Sequence, residues 1–265
     1  MSLHRSFLSL FLLLSSVAVS CSISASDGTV HKLMTYNVRN GIGIDDSVSV
    51  RRVADAIVRQ APEIVAVQEL DSVTGRSQGR YVLGDIGKLT GMYPCYSPAI
   101  DYDGGRYGIG VLCRTEPLSV HRYSLPGEEE ARAMIVVEMP DYMFACTHLS
   151  LTDADRMRSL DIIRSVASES YSATHKPFFI AGDFNSHPDS EFIKALMVEF
   201  TPLTDTTVPT FPADIPDETL DYIMLYAPSV TGPVKSWSSV VNEPSASDHR
   251  PVVTVVTLPD TSRRS

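Results

Sequence analysis

Basic residues, spaced cysteine pairs and long apolar runs are all scarce in this sequence, and each scarcity removes a class of function. Lys and Arg total 22 against 32 Asp and Glu, a formal charge of −10. A protein that grips a long polyanion usually has a basic surface, so general affinity for nucleic acid is disfavoured, although a local basic pocket is not. Four cysteines occur, none in a Cys-x-x-Cys spacing, which leaves no thiolate framework for zinc. The apolar run at residues 7–14 is too short to cross a bilayer as a helix. There is no repeat at a short fixed period and no low-complexity segment, which argues against a solenoid. No Gly-, Ser- or Pro-rich linker divides the 265 residues, so a single domain is expected. The hydrophobic share of 43% is ordinary, and the length permits a large core.

What is present begins with an export pattern. His4 and Arg5 precede the apolar run, and small residues follow around 17–20. The expected layout is a signal over 1–25 and one domain over 26–265. Cleavage falls either near Ala25 or directly before Cys21. Ala18-Val19-Ser20-Cys21 resembles a bacterial lipoprotein processing site, without the usual Leu three residues before the Cys. The expected location is periplasmic, outer-membrane-anchored through a lipid on Cys21, or extracellular. Cys95, Cys113 and Cys146 remain, an odd number, and are expected to be structural and unpaired.

The chain is organised around residues 176–185, Lys-Pro-Phe-Phe-Ile-Ala-Gly-Asp-Phe-Asn. The apolar run at 178–181 suits a buried strand. It ends in Asp183 and Asn185, which on a strand would share one side. Further strands are expected at 31–38, 64–67, 109–114, 134–139, 142–147, 220–225 and 251–258, the fourth and fifth of these joined as a hairpin around Pro140 and Asp141. Helices are expected from a cap at Asp46 or Ser47 to about Gln60, near 81–90, from a Thr152–Asp155 capping box to about Ser170, and from Pro188 to Phe200. Pro94 and Pro98 mark a loop, and a Pro- and Thr-rich loop follows residue 200. Strands interleaved with helices and hairpins predict an α/β fold with mixed sheets.

Six strand-like segments carry polar or ionisable residues at or near an end: Asn37, Glu69, His148, Asp183 with Asn185, Asp221, and Asp248 with His249. Each alone would pass for a solvated end or a turn. Together they describe a site assembled from strand-end loops. Asn37, Glu69 and Asp248 are hard oxygen donors that suit Mg²⁺ or Mn²⁺. Asp183 can orient and deprotonate a water, Asn185 can hydrogen-bond a phosphoryl oxygen, and His148 and His249 can stabilise or protonate phosphate oxygens. Asp221 can hold one imidazole in its tautomer. That set performs in-line attack of water on a phosphorus ester.

These motifs, in order Tyr-Asn-Val at 36–38, Gln-Glu at 68–69, Thr-His-Leu at 147–149, Gly-Asp-Phe-Asn at 182–185, Leu-Asp-Tyr-Ile at 220–223 and Ser-Asp-His-Arg-Pro at 247–251, resemble the endonuclease/exonuclease/phosphatase (deoxyribonuclease I-like) superfamily. The resemblance implies a four-layer α/β sandwich, two mixed sheets packed face to face with helices outside. It implies metal binding at Glu69, with Asn37 and Asp248 near or on the ion. It makes Asp183 the water-activating residue, Asn185 the phosphate-binding amide, and His249, paired with Asp221, the catalytic histidine. His148 matches a second histidine of the deoxyribonuclease and sphingomyelinase branches. Arg39, Arg106 and Arg132 are candidates for substrate contact. The expected activity is hydrolysis of a small or lipid-head-group phosphate ester by a monomer. A secreted deoxyribonuclease or other endonuclease is the alternative, and a binding module that kept only the fold is the third reading.

Overall fold

In the computed structural model, which describes residues 28–259, two six-stranded sheets pack face to face. The first sheet has the order β11-β12-β1-β2-β4-β3. Its members are β1 (Gly28–Asn37), β2 (Ile64–Ser72), β3 (Tyr93–Tyr102), β4 (Gly105–Cys113), β11 (Lys235–Val240) and β12 (Val252–Pro259). The second has the order β5-β6-β7-β8-β10-β9. It comprises β5 (Ser119–Leu125), β6 (Arg132–Glu138), β7 (Met143–His148), β8 (Phe178–Asp183), β9 (Phe200–Pro202) and β10 (Asp221–Tyr226). Helices α1 (Val50–Gln60) and α2 (Val82–Thr90) cover the first sheet, and α3 (Asp153–Thr174) and α4 (Glu191–Leu196) the second. The four-layer sandwich is therefore as expected.

The central strands read as unbroken apolar runs because both of their faces are buried. Leu33, Ile64, Ala66, Phe144, Phe179 and Ile223 face the other sheet in the middle core. Their chain neighbours Met34 and Val65 pack with Val53, Ile57 and Leu83. Ile180 and Met224 pack with Ile163 and Phe192. Truncating a middle-core ring such as Phe179 to Ala should cost about 3–5 kcal/mol.

This alternation also locates the polar strand ends. Counting by twos from Leu33, Phe144, Phe179 and Ile223 reaches Asn37, His148, Asp183 and Asp221. All four therefore point into the gap between the sheets at one end of the sandwich. Pairing aligns them further. β7 and β8 are parallel with His148 beside Asp183. β8 and β10 are antiparallel with Asp183 opposite Asp221. Gly182 makes the first alignment feasible, because a Cβ there would lie 2.0 Å from the carbonyl oxygen of Thr147.

Several local expectations give way to tertiary context. Residues 93–102 form β3 despite Pro94 and Pro98, because β3 is an edge strand and its prolines need not donate to a second neighbour. β5, β9 and β11 were not expected; β5 and β11 are also edge or near-solvent strands with weak apolar alternation. α1 is capped by Ser49, whose side chain accepts from the Arg52 N–H, not by Asp46 or Ser47. Asp45 instead accepts from the Ser47 N–H and hydroxyl in a separate turn. α4 starts after Ser190, which caps it through the Ile193 N–H, so Pro188 lies outside the helix. Thr152 is the N-cap of α3, but the capping box does not form. Its hydroxyl donates to Asp155, whose same oxygen is claimed by the Glu128 N–H. α3 runs on to Thr174, past the expected end. Cys95, Cys113 and Cys146 are free, as expected. The export signal, Cys21 and the boundary at residues 25–26 lie outside the described residues.

Candidate active site

Asp183 is the centre of the site. It is buried, and its Oδ2 accepts a hydrogen bond from Asn37 Nδ2 at 3.0 Å. Two imidazoles face the same oxygen, His148 Nε2 at 3.6 Å and His249 Nε2 at 3.5 Å. One comes from each sheet: His148 ends β7, and His249 sits just before β12. Oδ1 accepts from the backbone N–H of Asn185 at 2.9 Å. That bond is an Asx turn, and it changes how Asn185 is placed. Asn185 has left the strand with φ +47°, so turn chemistry, not the pleat, keeps it beside Asp183. Its Nδ2 donates to the Leu149 carbonyl at 2.9 Å, which ties it to the segment after His148. The amide keeps a second hydrogen for a substrate oxygen.

Glu69 arrives by a different route. Strict alternation from Ala66 would send its side chain toward the helices. A β-bulge between Val67 and Leu70 breaks the count, and Glu69 adopts φ +58°. Such backbone is uncommon for a residue of this type and is tolerated where the surroundings hold it. The carboxylate thereby meets Asn37 Nδ2 at 2.9 Å. Asn37 so bridges Glu69 and Asp183 with its amide nitrogen, while its Oδ1 accepts from the Arg39 N–H. Ser247 donates to the Asn37 carbonyl at 2.7 Å and so fixes the start of the Asp248–His249 segment.

His249 is the most elaborately held group. Its Nδ1 donates to Asp221 Oδ2 at 2.9 Å. The same oxygen accepts from the Thr210 hydroxyl at 2.6 Å, and the Phe211 ring packs 4.7 Å from the imidazole. Burial alone would discharge this histidine. The Asp221 and Asp183 carboxylates overcome that and raise its pKa to about 10. His148 behaves oppositely. Burial lowers its pKa to about 4, against the pull of Asp183 and with a push from the Arg132 guanidinium.

The donor set fits a divalent cation. Burial first, and then the neighbouring Asp248 and Asp183, push the Glu69 carboxyl up, while Asn37 partly compensates. Among the described residues no Lys or Arg forms an ion pair with Glu69. A hard cation bound there would supply the missing charge. Ligand atoms of Asp183, Asp221 and His249 also lie within 4.8 Å of one another. Asp221 Oδ2 and His249 Nδ1 already bond each other there, so two of the three groups form a hydrogen-bonded pair whose Nε2 faces Asp183 at 3.5 Å.

Of the three candidate arginines, Arg39 reaches the site, with Nε 3.5 Å from Asp248 Oδ2. Arg106 lies at the β3–β4 hairpin and pairs with Asp101 at 3.4 Å. Arg132 is buried and pairs with Glu129 and Glu130, each at 3.3 Å. Glu129 in turn accepts from Ser150 and the Leu151 N–H. This network pins the segment that follows His148, and nothing in the sequence announced it. Thr210 and Phe211 were also missed, hidden within a loop whose composition signals only a turn.

Comparison with known proteins identifies the family and agrees with the fold. A family model described as Endonuclease/Exonuclease/phosphatase family matches residues 34–249. No curated protein matches significantly. Among solved structures, an endonuclease/exonuclease/phosphatase from Beutenbergia cavernae superposes with a TM-score of 0.72 at 19% identity, over 86% of this chain and 72% of that one. A mannosyl-6-phosphatase from Bacteroides thetaiotaomicron gives 0.67 at 15% identity, over 85% and 99%. Sphingomyelinase C from Streptomyces griseocarneus gives 0.65 at 17%, over 86% and 99%.

Proposed function

The chain belongs to the endonuclease/exonuclease/phosphatase family, whose members are phosphoester hydrolases, and from that premise we propose an exported, metal-dependent enzyme that cleaves a small or lipid-head-group phosphate ester by in-line attack of water. One observation carries the reading: Asp183 Oδ2 stands between two imidazoles, at 3.6 and 3.5 Å, one of them backed by Asp221. Asp183 takes the proton of the attacking water, since Asn37 and the Asn185 N–H hold its two oxygens in place. Cationic His249 binds the phosphoryl group and counters the charge that grows on it. Neutral His148 offers a hydrogen bond to another phosphate oxygen, and the Asn185 amide a further one. Glu69, with Asn37 and Asp248 beside it, would hold Mg²⁺ or Mn²⁺, which when bound neutralises charge on the phosphoryl and leaving oxygens.

The substrate side of the proposal draws on the similar proteins and on charge. One structural relative is named for a sugar phosphate and another for a sphingolipid. The charge of −10 disfavours a polyanion. The pattern at residues 1–25 supports export, with a lipid on Cys21 as the anchor if cleavage falls there, and a monomer is the proposed state. A secreted endonuclease is the second reading, favoured by His148 at the place where the deoxyribonuclease and sphingomyelinase branches carry a histidine.

A hydrolysis panel with Mg²⁺ tests this: sphingomyelin, phosphoinositides, sugar phosphates, an aryl phosphodiester, RNA and plasmid DNA. Cleavage of a small or lipid ester, abolished by chelation and restored by Mg²⁺ or Mn²⁺, is expected. Full activity after exhaustive chelation would overturn the metal requirement. Efficient cutting of duplex DNA with a steep salt dependence would replace the first reading by the second.

A further inference from the structure

Asp221 is held on one side only. Its Oδ2 accepts from His249 and Thr210, at 2.9 and 2.6 Å. Its Oδ1 is buried and has no protein hydrogen-bond partner among the described residues. The same is true of Thr204 Oγ1. Asp221 is 1% exposed and Thr204 9%. Buried polar atoms are nearly always bonded, to protein or to ordered water, so two unpartnered ones at neighbouring places call for a common partner.

The two residues line one cavity of about 60 Å³. It lies where the β9–β10 edge of one sheet meets β11 and β12 of the other. Ser238, Ser239 and Thr210 supply further hydroxyls to its wall. A water needs a polar space of about 10–15 Å³ and two to four polar partners. This cavity exceeds the first requirement and meets the second.

We propose that the cavity is an internal water site, in which an ordered water donates to Asp221 Oδ1 and accepts from the Thr204 hydroxyl, and that Thr204 is thereby a positioning residue for His249. The water's second hydrogen goes to a serine hydroxyl of the wall. Both oxygens of Asp221 are then engaged, which fixes the carboxylate plane. Oδ2 is kept on His249 Nδ1, and Nε2 is kept aimed at Asp183. Without the Thr204 hydroxyl the water loses a donor, and the carboxylate is free to turn about its Cβ–Cγ bond. Outer hydrogen-bonding partners of this kind affect activity about 10–100-fold when removed. A residue one step further out should act at the lower end.

This inference rests on the hydrolase reading only for its rate measurement; two other measurements need no substrate. A high-resolution crystal structure of the metal-free protein should show a water within hydrogen-bond distance of Asp221 Oδ1 and Thr204 Oγ1. Thr204→Val, which keeps the side-chain shape, should broaden or shift the low-field imidazole Nδ1–H proton resonance of His249. It should also lower kcat about tenfold with KM unchanged, and Thr204→Ser should restore both. An empty cavity, a cation in place of the water, or a Thr204→Val protein with native resonance and kcat would overturn the proposal. So would a Thr204→Ser protein as impaired as Thr204→Val. If no substrate of any class is cleaved, the hydrolase reading fails, while the crystallographic and resonance results still decide the water site.

Discussion

His148 and His249 face the same carboxylate oxygen at nearly the same distance, yet their surroundings lower the pKa of the first and raise that of the second. Each places Nε2 close to Asp183 Oδ2, at 3.6 and 3.5 Å. Both are buried. Asp183 therefore cannot account for the difference. What stands behind each ring does. Asp221 backs His249 at 2.9 Å and keeps it cationic to about pH 10. Among the described residues no carboxylate other than Asp183 pairs with the His148 ring; burial dominates, Arg132 adds to it, and its pKa falls to about 4. A pair of identical residues is thus divided into one charged phosphate-binding group and one neutral donor.

The strongest way to break this comparison is to remove what the two rings share. Asp183→Asn keeps size and one of the two accepted hydrogen bonds but deletes the base. Steady-state kinetics on the substrate found by the panel should show kcat lower by on the order of 10²–10⁴, as for loss of a general base. KM should change little, because the interaction is made in the transition state. A loss of less than about threefold would remove Asp183 from the chemistry.

A smaller effect sharpens the comparison by acting on one ring alone. Asp221→Asn should lower kcat roughly 10–100-fold, acting through His249. In a His249→Ala background the same change should do almost nothing, whereas in a His148→Ala background it should keep its full effect. Losses that multiply in the His249→Ala background would show that Asp221 does not work through that ring.

Much of this site was legible because it follows from the pleat. Asn37, His148, Asp183 and Asp221 each end an apolar strand, and a period of two carries all four to the inter-sheet side. Asn185 and Glu69 were found for a reason that proved incomplete. A turn with φ +47° and a bulge with φ +58°, not regular strand geometry, aim them. The residues that were not legible act through long-range contacts from segments without periodicity. Thr210 reaches Asp221 from the loop before β10, and Glu129 accepts from Ser150; Arg132 was singled out as a candidate substrate contact, but it pairs with Glu129 and Glu130 instead. In the fold, β3 was hidden by two prolines that only an edge position permits. A strand's place in its sheet is a tertiary fact, and local composition does not contain it.

The division between the two histidines is measurable without a substrate. Imidazole ¹⁵N and ¹H resonances of the metal-free protein, assigned with His148→Gln and His249→Gln, should be followed from pH 4 to pH 10. His249 should remain cationic through pH 8 and be half deprotonated near pH 10, and His148 should be neutral at pH 6 and half protonated near pH 4. In Asp221→Asn the His249 titration should move down while that of His148 stays in place. Two rings titrating together near the ordinary histidine value of about 6.5, unaffected by Asp221→Asn, would contradict the account.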